Sequence, residues 1–252
     1  MEAQELGGYS LVSYAGNAED VVLMRAFADR PGGFFVDVGA GEPVSGSLTK
    51  NLVDRLGWRG VNVEPLPERA ERLRAARPGD VTLAAAVGSV PGAARFFRVV
   101  PGPGMTGGGG LSTLDREVLQ RHVAAGWGFE ELQVEVVRLD AVLAEYARAG
   151  FDLLKIDVEG AEADVLASVD LEVWRPRVIV VEATVPLTSQ PSHQHWEPRL
   201  LMAGYRLALF DGLNRFYARS DEEQLLERLS VPANVLDNYI PWRCAVRAGL
   251  PV

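Results

Sequence analysis

Short apolar runs alternate with helical patterns along most of this chain. The segment 34–40 (FFVDVGA) is apolar, rich in β-branched and aromatic residues, and predicts a buried strand. The same signature recurs at 59–65, 81–88, 94–100, 132–139, 151–158 and 177–184. Between these runs the apolar period becomes helical. Residues 19–30 form one amphipathic helix, stopped by Pro31-Gly32-Gly33. Ser47 is placed to cap a helix over 48–57, Ser112 one over 112–126 and Asp140 one over 140–150. Pro67 suits the first turn of a helix over 67–79. Further helices are expected over 160–169, 195–205 and 222–230. Residues 205–212 and 214–220 read as a hairpin, and the tail from Val231 as irregular.

Alternating strands and helices with continuously apolar strands predict an α/β fold: a mostly parallel sheet, helices on both faces, and a C-terminal antiparallel hairpin. The expected organisation is one domain over 1–252. A helical N-terminal segment covers about 1–33, the sheet core about 34–220, and a helix and tail about 221–252. The stretch Gly102–Gly110 holds six glycines in nine residues and predicts a loop, read either as a plain connection or as a lid.

Composition narrows the function. Charged residues are 23% and hydrophobic residues 48% of the 252, which is ordinary for a globular protein. The 34 acidic and 25 basic residues give a formal charge of −9, which argues against nucleic acid and anionic membrane as partners. One cysteine, Cys244, excludes a disulfide framework and a Cys-rich metal site. There is no apolar run of membrane-spanning length, and residues 1–10 lack signal-peptide character, so a cytoplasmic location is expected. A homodimer is the base-rate expectation.

In open α/β sheets, ligands bind beyond the carboxyl ends of the strands. After the first strand stands Asp37-Val38-Gly39-Ala40-Gly41. Glu64 ends the second strand, about two dozen residues on, placed to accept hydrogen bonds from two ribose hydroxyls. A dinucleotide fingerprint needs a third glycine where this chain has Val44, with Pro43 before it. S-adenosylmethionine carries no phosphate and needs only the close approach and the ribose acid. Asp37, a charge within a buried strand, requires a partner.

A second acidic group follows the 151–158 strand. Asp157 and Glu159, with Glu182 at the end of the next strand, are expected to converge in one cleft. Two roles stay open for the acceptor side. The three carboxylates are hard oxygen ligands for Mg²⁺, and a bound ion acidifies a hydroxyl. Alternatively His193, in a loop with His195 and beside Trp196, serves as general base, with Glu159 as the other catalytic candidate. Lys155 is placed to neutralise one carboxylate. His122 reads as surface. Asp211 and Asn214 read as hairpin-turn residues or substrate contacts.

SYAGNAEDVVL (13–23), FVDVGAGEP (35–43), GVNVEP (60–65), LSTLD (111–115), LLKIDVEGAEADVL (153–166) and FDGLNRFY (210–217) run in one order along nearly the whole chain. In these motifs the chain resembles the FkbM family of S-adenosylmethionine-dependent O-methyltransferases. The resemblance implies a class I methyltransferase (Rossmann-like) sheet with an antiparallel last strand. It implies methyl transfer to a hydroxyl of a sugar or natural product. It also implies that Asp37, Gly39 and Gly41 line the methionine part of the cofactor, that Glu64 holds the ribose, and that Ala86-Val87 lie near the adenine. Glu19 and Asp20 would sit beside the cofactor, with Asp157 as a further contact. A non-catalytic cofactor-binding module and a nicotinamide-dependent sugar-modifying enzyme are the alternatives.

Overall fold

Side chains along the central strands alternate between two buried faces, as the strand pleat dictates. Val36, Val38, Leu154, Ile156, Ile179 and Val181 point to one face; Phe35, Leu153, Val178 and Val180 point to the other. Both faces are covered, which is why these runs are continuously apolar rather than alternating. In this computed structural model, residues 6–107 and 110–252 are described. Gly108 and Gly109 of the expected glycine-rich loop, and residues 1–5 of the N-terminal segment, lie outside them.

The elements, in chain order, are β1 (Leu11–Ser13), α1 (Glu19–Ala26), β2 (Phe34–Val38), α2 (Lys50–Leu56), β3 (Arg59–Val63), α3 (Pro67–Ala76), β4 (Val81–Leu83), β5 (Ala86–Val87), β6 (Gly92–Val100) and α4 (Arg116–Ala124). There follow β7 (Gly128–Val137), α5 (Leu139–Tyr146), β8 (Leu153–Ile156), α6 (Glu162–Ala167), α7 (Leu171–Trp174), β9 (Val178–Glu182) and α8 (Glu197–Met202). The chain ends with β10 (Tyr205–Phe210), β11 (Asn214–Arg219), α9 (Glu223–Leu229), β12 (Tyr239–Pro241) and α10 (Trp242–Arg247).

The main sheet has seven strands in the order β10-β11-β9-β8-β2-β3-β4. Its parallel pairings run from β9 through β8, β2 and β3 to β4, and β11 alone runs against them. Successive crossovers leave β2 on opposite sides toward β3 and β8, so the strand order reverses there. That reversal opens the crevice in which ligands of such sheets sit. Helices α1 and α9 pack on the Phe35 face around Phe27 and the fully buried Trp58, whose rings meet edge-on at 4.8 Å. Helices α5 and α6 cover the opposite face.

The single strand expected over 81–88 is two, because the chain leaves the main sheet after β4 and joins a second one. That second sheet has the order β5-β7-β6 and holds the strands expected near 94–100 and 132–139. The tail from Val231 is not irregular: β12 pairs in parallel with β1, and α10 follows. Ser47 and Ser112 cap no helix. The Ser47 hydroxyl accepts from Arg77 at 2.6 Å, and the Ser112 hydroxyl from the Val99 amide at 3.1 Å. Asp115 is the cap of α4, accepting from the Glu117 and Val118 amides. Asp140 lies inside α5 and receives the Asp170 amide and the Trp174 indole instead. No described helix is long and apolar enough to cross a membrane.

Candidate active site

A cleft of about 320 Å³ opens at the carboxyl ends of β2, β3, β8 and β9. Its walls carry Gly39, Gly41, Glu64, Ala86, Asp157, Glu159 and Glu182, together with Glu19 from the start of α1. The structure therefore brings together eight sequence-predicted site residues spread over more than 160 positions.

The floor is built from the turn after β2. Gly39 has φ +77°, and a Cβ there would lie 1.8 Å from the Asp157 carbonyl oxygen. Glycine is the residue that lets this turn close against the chain leaving β8. Glu64 is buried, and its two oxygens accept from the Gly41 and Leu66 amides, both at 2.9 Å. Burial raises the Glu64 pKa, against the opposing pull of those amides and of Arg69. The amides fix the carboxylate at the cleft wall and leave it further lone pairs for a ligand's hydroxyls.

Beneath the floor lies an ion-paired layer. Asp37 on β2 faces Lys155 on β8 in direct register. The Lys155 ammonium stands 3.2 Å from Asp37, 3.5 Å from Asp157 and 2.6 Å from the Gly39 carbonyl oxygen it donates to. Burial alone would lower the Lys155 pKa, but the Asp37 and Asp157 carboxylates outweigh it and hold the ammonium above its ordinary range. Asp37 thus works from under the cleft, with Thr49 donating to its other oxygen at 3.3 Å.

At the rim, Glu19 accepts from the Asn17 amide and the Asn214 side chain, each at 2.7 Å. Burial raises its pKa to about 7. The folded state therefore holds a proton that the unfolded chain releases near the ordinary carboxylate value. Stability contributed by the neutral form is complete below about pH 4.5 and is lost as pH rises through about 7. Glu19→Gln is expected to shrink that fall, by on the order of 3 kcal/mol, in urea unfolding of the ligand-free protein at pH 5 and pH 8. An unchanged slope would show that Glu19 is already ionised at pH 5. Asp20 turns away from the cleft and accepts from Ser13, the Tyr14 amide and Asn51, a network that ties β1 to α1 and α2.

The far wall is acidic. One carboxylate oxygen from each of Asp157, Glu159 and Glu182 lies within 4.8 Å of the others. Burial first, and then the neighbouring carboxylates, raise both Glu159 and Glu182 well above the ordinary range. Glu162 turns back to accept from the Val158 and Gly160 amides and closes the turn before α6. Asn214 sits opposite Glu182 in register, and Asp211 secures the hairpin turn by accepting the Leu213 and Asn214 amides.

The histidines fall elsewhere. His193 does not line the cleft: its Nε2 stands 3.7 Å from Glu197, which also holds Arg215 and the Tyr217 hydroxyl. Burial, and then Arg215, lower the His193 pKa. His122, expected at the surface, is buried on α4 with 1% exposure. Two polar residues behind the cleft lining were not singled out from the sequence, Thr113 standing only within the LSTLD motif. Thr113 is fully buried and donates to the Glu159 carbonyl oxygen at 2.8 Å. Arg77 stitches the 43–49 loop through Pro43, Ser47 and Thr49.

A parallel sheet with one antiparallel strand, a glycine turn after β2 and an acid after β3 define the class I methyltransferase architecture. The profile of the Methyltransferase FkbM domain matches residues 37–207, and the chain belongs to that family. It is 44% identical over 73 residues to methyltransferase sdnD of Sordaria araneosa, a match covering 25% of this chain and 28% of that protein. It is 50% identical over 56 residues to the 31-O-demethyl-FK506 methyltransferase FkbM of Streptomyces tacrolimicus, covering 22% of this chain and 21% of that protein. The alignments thus span about a quarter of those relatives' lengths. A TehB-like SAM-dependent methyltransferase from Corynebacterium glutamicum superposes with TM-score 0.41 at 10% identity, covering 80% of this chain and 87% of that one. A Burkholderia thailandensis 1,6-didemethyltoxoflavin-N1-methyltransferase superposes with TM-score 0.35 at 14% identity, covering 81% and 77%.

Proposed function

We propose that this chain is an S-adenosylmethionine-dependent O-methyltransferase acting on a hydroxyl of a sugar or natural-product acceptor. The observation that carries this reading is the two-sided cleft: a glycine floor with a fixed ribose acid on one side, and a carboxylate wall on the other. The residues fit the methyl donor. Gly41 lines the cleft at φ +65° with open space where a side chain would stand, and Glu64 offers a buried, amide-held carboxylate. When bound, S-adenosylmethionine supplies a methyl group already activated by its sulfonium charge. Glu64 would then hold the ribose, Gly39 and Gly41 would admit the methionine portion, Ala86 would border the adenine, and Glu19 and Asp157 would lie beside the donor. Asp37 acts through Lys155, keeping the floor in place.

The acceptor must be aligned and must lose its proton. The carboxylates of Asp157, Glu159 and Glu182 are assigned that side, with Mg²⁺ as their proposed cofactor. His193 lies off the cleft and is not assigned the base. A relative named for 31-O-demethyl-FK506 supports an oxygen acceptor. The test uses donor labelled in its methyl group and a panel of sugar and polyketide-type hydroxyls. Label is expected on an acceptor oxygen. Glu159→Gln is expected to lower turnover by at least ~10²-fold with donor affinity retained, whereas His193→Asn keeps most activity. Label appearing only on nitrogen or carbon, or a His193→Asn protein as slow as Glu159→Gln, would overturn the assignment.

A further inference from the structure

Six carboxylates and two cations are among the residues lining the cleft: Glu19, Glu42, Glu64, Asp157, Glu159 and Glu182 against Arg69 and Lys155. Both cations already pair with carboxylates of the cleft or its floor. Arg69 stands 3.5 Å from Glu42, and Lys155 is shared among Asp37, Asp157 and the Gly39 carbonyl. Asp157, Glu159 and Glu182 crowd together in the cleft wall. An acidic cluster alone is ordinary, but two further features set this one apart.

The first is Glu182. Its side chain ends β9 with 7% exposure, and its Oε2 has no hydrogen-bond partner among the described residues. A buried carboxylate oxygen without a donor is costly, by about 1–3 kcal/mol or more. Asn214, its register neighbour, spends its amide on Glu19. The cluster therefore carries an unmet need for a positive ligand.

The second is the backbone at Glu159. It has φ +57°, a left-handed conformation that costs a non-glycine residue about 1–3 kcal/mol. The following Gly160 has φ +102°, and a Cβ there would lie 2.7 Å from Val118 of α4. What holds this turn is a strap from the second sheet. Thr113 pairs with Phe97 of β6 through both backbone groups, at 2.9 and 3.0 Å. Its hydroxyl accepts from the Asp115 amide at 2.9 Å and donates to the Glu159 carbonyl oxygen at 2.8 Å. The neighbouring Gly110, Ser112 and Leu114 line the cleft. The strap thus fixes the strained turn that brings Glu159 to Asp157 and Glu182.

We infer that Asp157, Glu159 and Glu182 form a divalent-cation site for a hard ion such as Mg²⁺, with Thr113 as the positioning residue that presents Glu159 to it. The spread of the three oxygens fits this chemistry. The oxygens lie within 4.8 Å of one another, so small side-chain movements bring all three to the roughly 2.0–2.6 Å that a hard cation needs. Three carboxylates would leave positions in a six-coordinate shell for other oxygens, and all three residues line the cleft. The acceptor's role rests on the proposed function; the binding of the ion does not.

The test is calorimetric titration of the full chain with Mg²⁺ and Ca²⁺, and Mn²⁺ titration followed by electron paramagnetic resonance, all without methyl donor. One ion per chain is expected. Glu182→Gln keeps the shape and removes the charge, and should weaken Mn²⁺ at least tenfold. Thr113→Val keeps the volume and loses both hydrogen bonds, and should weaken it ~10–100-fold, as outer partners of metal sites do. Thr113→Ser restores the hydroxyl and should recover most of that loss, which a merely structural role would not predict. Thermal melts establish that each variant is folded. No ion binding to the folded wild type, or equal affinity in wild type, Glu182→Gln and Thr113→Val, would overturn the proposal. Donor affinity, measured on the same samples, separates the two claims: donor binding without ion binding removes this site alone, and ion binding without donor binding removes the methyltransferase reading alone.

Discussion

Glu64→Ala is expected to lower the affinity for S-adenosylmethionine by at least ~10²-fold. The reason lies in what the carboxylate does twice. Toward the protein it accepts the Gly41 and Leu66 amides and so sets the turn after β2. Toward the cleft it offers the acceptor for two ribose hydroxyls. Hydrogen bonds to a charged group contribute about 1.5–3 kcal/mol each, so losing two is worth roughly 3–6 kcal/mol. That range corresponds to ~10² to 10⁴ in dissociation constant. Glu64→Gln, which keeps the reach and loses the charge, should fall between. Calorimetry reads both variants, and a Glu64→Ala protein that binds the donor like wild type would remove Glu64 from the site.

The second large effect falls on stability. Lys155→Met is expected to destabilise the fold by about 3–5 kcal/mol, because it leaves a buried carboxylate without its counter-charge. Asp37 is 1% exposed, and its register partner is Lys155. Replacing the ammonium by a methyl group of similar reach also abandons the Gly39 carbonyl oxygen. Urea unfolding gives the number. Lys155→Met with Asp37→Asn should recover part of the loss, since the orphaned charge is then gone. A change below ~1 kcal/mol for the single variant would mean that water reaches Asp37 and replaces the ammonium.

The strands that carry this site were legible because each is buried on both faces. FFVDVG, RGVNVE and FDLLKID stand out as apolar runs with an acid at or near the end, and the acids after β3, β8 and β9 do reach one cleft. The crossing of the second sheet was not legible. VTLAAAVG reads as one strand, and only the pairing of Ala86-Val87 with Val136-Val137 reveals a change of sheet. Caps were misplaced for a related reason. Ser47 and Ser112 carry the chemistry of a cap, but their hydroxyls go to Arg77 and to the Val99 amide, partners distant enough in sequence to leave no local pattern. The pairing of β12 with β1 joins the two ends of the described chain, and short edge segments give a weak hydrophobic period.

Site chemistry followed the same division. Glycines and carboxylates announce themselves by type and position. Thr113 stood only inside the LSTLD motif, because its hydroxyl bonds a backbone oxygen 46 residues away. His193 was drawn toward the cleft by its loop, which leaves the Glu182 strand. The loop folds back through the Ser192 amide onto the Ala183 carbonyl, and His193 ends beside Glu197 instead.

The methyltransferase assignment is tested most directly by calorimetric titration of the folded protein with S-adenosylmethionine and, separately, with NADH. One-to-one binding of S-adenosylmethionine in the micromolar range, and none of NADH, is expected. Absence of S-adenosylmethionine binding, or binding of NADH alone, would contradict the assignment.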